Sequence, residues 1–243
     1  MFVTLDDIRT LIKQNPSLKR GCIVDTNVIF AAMFPLDAHN DWAESTLEEL
    51  RRLEIPIYSN INIRSEFIDL NRRVLIPEGL MDFYYYYGSE LPESVSLGLK
   101  SLQTRKKKAA EENRTFKLSD VEIKRYRKLL DQYKHNSGVN GWTAFCEEYF
   151  RPYIKPVWSE AVQRLHLNFV GTRAIESKEH FESDPTWEEM TDIVGRSGIG
   201  SSDAMIVNLF IKSKFSLIVT ADSDVKETTL SLASPNKLVL AAS

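Results

Sequence analysis

Cysteine and histidine are scarce in this chain, with 2 Cys and 4 His among 243 residues. Cys22 and Cys146 each sit inside an apolar run. That reads as two buried free thiols in a reducing compartment, not as a disulfide framework. His39, His135, His166 and His180 are scattered, and no nucleophile–base pairing stands out among them. No apolar run approaches the ~18 residues of a membrane span. The opening "MFVTLDDIRTLIKQ" has few apolar residues and meets Asp6 and Asp7 at once, so it does not read as a signal peptide. The expectation is a cytoplasmic protein with no membrane partner. Internal repeats and extended low-complexity tracts are also missing.

What is there suits one globular domain with an insertion, or two small domains: 43% of residues are hydrophobic and 27% charged. The net charge of −3 hides an asymmetry. Lys100 to Lys134 holds 12 Lys/Arg and 5 Asp/Glu, a balance of +7, which leaves −10 for the remainder. A basic arm on an acidic body suggests a polyanionic partner as readily as a solvated helix face.

Hydrophobic patterning divides the chain. "TLDDIRTLIKQN" reads as an amphipathic helix capped by Thr4, "GCIVD" as a strand, "DWAESTLEELRRLE" as a helix, "IPIYS" as a strand and "NINIRSEFIDLNRRVL" as a helix capped by Asn60. Such alternation argues for an α/β fold with a parallel sheet and helices on its faces. From about Ile76 to Arg151 strand signals cease. "SLGLKSLQTRKKKAAEENRTFKLSDVEIKRYRKLLDQYKHN" reads as two polar helices, the second capped by Ser119, and "GWTAFCEEYF" as another, stopped by Pro152. The α/β pattern then returns. "LHLNFV", "FSLIVT" and "NKLVLAA" read as strands, "DPTWEEMTDIVGRSG" as a helix capped by Asp184, and "SSDAMIVNLFIKSK" as a helix capped by Ser201 or Ser202. The expected organisation is an α/β core of residues 1–75 and 152–243, with a partly basic helical insertion at 76–151.

The carboxylates fall in unusual places. Asp25 ends the apolar run of the first strand, where a buried charge without partners costs several kcal/mol. Asp222 and Asp224 follow "SLIVT" at the carboxyl end of another strand and, if extended, point the same way. Ligands bind at that edge of an open parallel sheet. Asp203 sits in the first turn of a helix, and Glu66 lies among Ile63, Phe67 and Leu70 on an otherwise apolar face. Each has a plain explanation: a helix-dipole partner for Asp203, turn residues for Asp222 and Asp224, a surface ion pair for Glu66. Clustered at one sheet edge, they would repel one another unless a cation neutralised them. Oxygen-only donors suit Mg²⁺ or Mn²⁺.

"IVDTNVIFAA", "SEFIDL", "GSSDAMIVNLF" and "LIVTADSDV", in this order, resemble the four acidic motifs of PIN-domain nucleases, the family of the VapC-type toxin ribonucleases. The resemblance covers about Gly21 to Leu70 and Asp184 to Leu240. It implies a PIN-like parallel sheet of four or five strands sandwiched by helices. It makes Asp25, Glu66, Asp203 and Asp222 the catalytic, metal-binding quartet, with Asp224 as an auxiliary acid and Asn27 and Thr220 lining the site. Asp69, one helical turn beyond Glu66, is the rival for that position. The chain is longer than the small toxins, which lack so large an insertion.

The implied activity is metal-dependent hydrolysis of RNA phosphodiester bonds, single-stranded or structured, with Mg²⁺ or Mn²⁺ as cofactor. A toxin with an antitoxin partner and an RNA-processing or defence nuclease both fit, and small members commonly form homodimers. The alternatives are a non-catalytic interaction module on the same fold, or another Mg²⁺-dependent α/β enzyme such as a phosphatase. In the basic segment, "TRKKK" (Arg105, Lys106, Lys107, Lys108) and "KRYRK" would contact phosphates, with Tyr126 available to stack. Tyr84 to Tyr87 would face all round a helix, so some must be exposed or meet a partner, and core or interface packing is favoured over base stacking.

Overall fold

The structure, a computed structural model, describes residues 1–171 and 178–242. The chain parts into two compact units, Met1–Phe67 with Ala161–Ser243, and Ile68–Glu160. The patterning boundaries at 75/76 and 151/152 lie several residues from these.

The first unit holds a six-stranded, all-parallel sheet in the order β1-β6-β5-β2-β3-β4. The strands are β1 (Phe2–Val3), β2 (Cys22–Val24), β3 (Ile57–Ser59), β4 (Leu167–Phe169), β5 (Leu217–Thr220) and β6 (Leu238–Ala241). Six strands replace the four or five expected. The addition is β1, two residues that pair Phe2 with Val239 and Val3 with Leu240, too short to show a period. β2, β5 and β6 are buried along their whole lengths, as parallel strands covered on both faces must be. Entry into β2 depends on Gly21. Its φ of +123° is one that side chains rarely adopt, and a Cβ there would lie 2.6 Å from the Pro56 carbonyl oxygen.

The α-helices among the described residues include, in chain order, α1 (Leu5–Gln14), α2 (Thr26–Met33), α3 (Asn40–Arg52), α4 (Ile61–Tyr87), α5 (Glu93–Glu111), α6 (Asp120–Leu130), α7 (Gly141–Phe145), α8 (Arg151–Ile154), α9 (Val157–Leu165), α10 (Trp187–Ser197), α11 (Ser201–Lys212) and α12 (Ser223–Leu232). Thr4 and Ser119 form capping boxes with Asp7 and Glu122, and the Asn60 side chain accepts from the N–H groups of Asn62 and Ile63. Other expected ends move. Thr186, not Asp184, caps α10, because Glu189 completes a box with it. Gly200, not a serine, occupies the N-cap of α11. Pro152 does not stop its helix: a π-helical turn at Cys146–Phe150 leads into α8, whose first turn tolerates proline. Likewise α4 runs through Pro77.

The second unit has its own apolar core, in which Leu80, Phe83, Leu99, Leu102, Leu130 and Phe145 are fully buried. Tyr84 and Tyr87 pack against this core, while Tyr85 and Tyr86 stay exposed. Tyr126 is buried too, so its ring is not available to stack on a base. Both cysteines are free, Cys22 buried and Cys146 only partly so. Among the described residues no helix is long and apolar enough to cross a membrane.

Candidate active site

The strand order places a topological switch between β2 and β5: the chain continues from β2 to β3 on one side, and from β5 to β6 on the other. A crevice opens at the carboxyl ends of strands at such a point. Asp25 and Asp222 follow those two strands.

Asp25 is 1% exposed. Its N–H still donates to the Val219 carbonyl at 2.9 Å, so the backbone remains tied to the sheet as α2 begins. Asp25 occupies the N-cap of α2, yet its side chain caps nothing. Instead Oδ2 accepts from the Thr220 hydroxyl at 2.6 Å, while Oδ1 is buried with no hydrogen-bond partner. Thr220 serves both strand ends, since its Oγ1 also accepts from the Asp222 N–H at 3.0 Å. Asp222 has an extended backbone, but the helix begins at the next residue. It caps α12, with Oδ1 accepting from the N–H groups of Asp224 at 2.7 Å and Val225 at 3.1 Å. Asp224 therefore belongs to a helical first turn.

Glu66, on α4, has no arginine partner among the described residues. Its Oε2 accepts from the Thr26 and Ser202 hydroxyls, each at 2.9 Å, which ties it to the first turns of α2 and α11. Neither hydroxyl stood out in the sequence, where Ser202 read as a helix cap. Asp203 follows in α11, its Oδ2 3.1 Å from where a Cβ on Gly200 would sit, so the glycine leaves that oxygen room. Asn27 lies beside the site and is partly exposed. Asp69 is committed elsewhere, to ion pairs with Arg72 at 2.7 Å and Arg73 at 3.0 Å.

The carboxylates act on one another. Burial pushes Asp25 up to about 7. The Thr220 bond opposes this, and the charges of Glu66, Asp203 and Asp222 add to it. Asp203 rises to about 6 through burial and the charges of Glu66, Asp222 and Asp224. Among the described residues none of these acids has an ion pair. They are not drawn into a closed ligand shell: among the described residues no three His, Cys, Asp or Glu form a group that could hold a metal ion. The donor chemistry nonetheless suits a hard cation, since every side chain offers oxygen and Asp25 Oδ1 is a buried acceptor without a donor.

The basic residues belong to the second unit. All four of the 105–108 cluster are engaged by acids there: Arg105 by Glu122, Lys106 by Glu78, Lys107 by Glu111 and Lys108 by Glu112. Lys124, Arg125 and Lys128 on α6 are exposed and have no ion pair among the described residues.

No protein-family model matches the chain, and no curated protein or solved structure matches it either.

Proposed function

We propose that the chain is a metal-dependent ribonuclease on a PIN-like α/β fold, hydrolysing RNA phosphodiester bonds at the carboxyl edge of β2 and β5. The observation that carries this reading is Asp25 Oδ1: a buried carboxylate oxygen, without a donor, among like charges. A fold gains nothing from that arrangement unless a cation joins it.

Asp25, Asp203 and Asp222 would hold Mg²⁺ or Mn²⁺, with Glu66 completing the set directly or through water and Asp224 adding negative charge. When bound, such an ion supplies a nucleophilic water near neutral pH and offsets charge on the leaving oxygen. The protein's share is positioning. Thr220 fixes Asp25 through Oδ2 and so leaves Oδ1 as its donor. Thr26 and Ser202 both engage Glu66 through Oε2, which keeps Oε1 for the ion or its water. The basic residues of the second unit supply phosphate contacts that carry no sequence information. A toxin held by an antitoxin and a processing or defence nuclease are both served by this chemistry.

The test is cleavage of end-labelled single-stranded RNA and DNA in Mn²⁺, in Mg²⁺ and in EDTA, with Asp25→Asn alongside. Metal-dependent cleavage of RNA, lost in the variant, is the expected result. Cleavage that persists in EDTA or in Asp25→Asn overturns the reading.

A further inference from the structure

A cavity of about 370 Å³ lies in the first unit, lined by the start of α4, by Phe181 and by residues of α10 and α11. We propose that it binds a nucleobase of the substrate strand, so that the enzyme reads one base next to the bond it cuts. This rests on the nuclease reading.

The cavity's chemistry matches a flat ring with a polar edge. Its apolar walls include Ile61, Phe181, Trp187 and Met205. Of these, Trp187 is 67% exposed and Ile61 50% exposed, so part of the lining is uncovered aromatic and aliphatic surface. Indole faces stack on bases with little regard to sequence. Selectivity needs a polar group, and Asn60 is one that lines the cavity. The residue is 1% exposed, and its Oδ1 is spent on the Asn62 and Ile63 N–H groups. Its Nδ2 is buried with no hydrogen-bond partner. A buried amide donor left unpaired costs about 1–3 kcal/mol, and the ring nitrogens and carbonyls of a base are acceptors that would relieve it. Among the described residues that line the cavity, the charged one is Asp184.

Position links the cavity to the proposed chemistry. Asn62 and Glu66 are four apart on α4, and Ser202 and Met205 three apart on α11, so each pair shares a helix face. The Ser202–Glu66 bond joins the two helices at the acidic end. The cavity thus begins about 6 Å, one helical turn, from Glu66. That distance separates a phosphate from a neighbouring base on the same strand.

The experiment titrates the four uncharged ribonucleosides into the protein in EDTA, followed by tryptophan fluorescence and by NMR shifts. Nucleosides lack the phosphate that a metal-free acidic site would repel. Saturable binding with a preference among the bases is expected. Trp187→Ala, at an exposed position, should weaken it roughly tenfold. Asn60→Asp keeps the helix-capping oxygen and replaces the Nδ2 donor with an acceptor oxygen that is charged when ionised, so it should change the preference between bases while Trp187 still stacks. No saturable binding, binding unchanged in Trp187→Ala, or equal competition by N-acetyl-leucinamide overturns the proposal. The two readings fail separately. Metal-dependent cleavage without nucleoside binding removes the base site alone, and nucleoside binding by a protein that cleaves nothing removes the nuclease alone.

Discussion

Glu49 and Asp25 are two buried carboxylates in the same unit, and the fold treats them oppositely. Glu49, 8% exposed on α3, receives Arg9 Nε at 2.7 Å and both Nε and a terminal nitrogen of Arg52 at 2.9 and 2.8 Å. Hydrogen bonds from Arg9 and then Arg52 hold its carboxyl down at about 2. Asp25, 1% exposed, receives one threonine hydroxyl and is pushed up to about 7. This chain can bring arginines to a carboxylate that serves structure. At Asp25 it brings three more acids instead, whose charges add to the cost of its burial.

The sharpest way to break the contrast is to neutralise each carboxylate. Asp25→Asn should lower metal-dependent cleavage by at least ~100-fold, as loss of a principal electrostatic contact does. In EDTA the same variant should melt about 5 °C higher than the wild type, since a buried charge and its repulsion are gone. Glu49→Gln should move the melting temperature the other way, because two arginines lose their partner. A lower melting point for Asp25→Asn in EDTA would mean that Asp25 is as structural as Glu49.

Titration separates the pair without mutation. Asp25 has a folded value of about 7 against 3.8 for the free side chain, so between those values the folded state holds a proton that the unfolded state has released. Stability of the metal-free protein should therefore fall as pH rises from about 4 to 7, by an amount on the order of a few kcal/mol. Glu49 runs the opposite course: its folded value of about 2 lies below 4.5, so its contribution is present above 4.5 and lost as pH falls towards 2. Melting in EDTA should peak near pH 4 to 5. Saturating Mn²⁺ should remove the neutral-side decline, because a bound cation favours the ionised Asp25. A flat profile from pH 5 to 8 in EDTA would break the comparison.

The legible parts of this site were those that interrupt a pattern. β2, β5 and β6 read as strands because burial on both faces demands unbroken apolar runs, and Asp25 was conspicuous as the residue that ends one. Glu66 was conspicuous as an acid on an apolar helix face. Their partners were not legible. Thr26 and Ser202 meet Glu66 from 40 and 136 residues away, and a hydroxyl at a helix start reads as a cap. Three helices also escaped, α2, α9 and α12. α2 is buried almost all round, so it has no amphipathic stripe, and in α12 two of the three buried positions, Thr228 and Thr229, are polar. Missing α12 led to an extended Asp222–Asp224 segment where the chain has a helix cap.

A smaller effect is expected from those hidden partners. Thr26→Val and Ser202→Ala each remove one hydroxyl from Glu66 Oε2 and leave the carboxylate charge intact. Each should reduce cleavage by about 3- to 10-fold, the double variant more, with melting in EDTA within about 2 °C of wild type. Equal loss in Asp69→Asn would instead point to the rival acid, whose arginine partners argue for a structural role.

The smallest effect sharpens a second contrast, between paired and unpaired cations. Arg105, Lys106, Lys107 and Lys108 all have acid partners within their own unit, the last two at 3.9 and 3.8 Å. A phosphate would have to compete with those acids. Lys124, Arg125 and Lys128 form no ion pair among the described residues, although the charge of Lys124 acts on Asp120 one turn away. Each phosphate contact on a single strand adds about 0.7 to the slope of log affinity against log salt. Replacing Lys124, Arg125 and Lys128 by Gln should therefore lower that slope for single-stranded RNA by about 2, measured with Asp25→Asn to prevent cleavage. The same change at 105–108 should lower it by less, although it removes one more charge. If the order reverses, the acids around α5 are exchanged for phosphate on binding, and "TRKKK" is the contact after all.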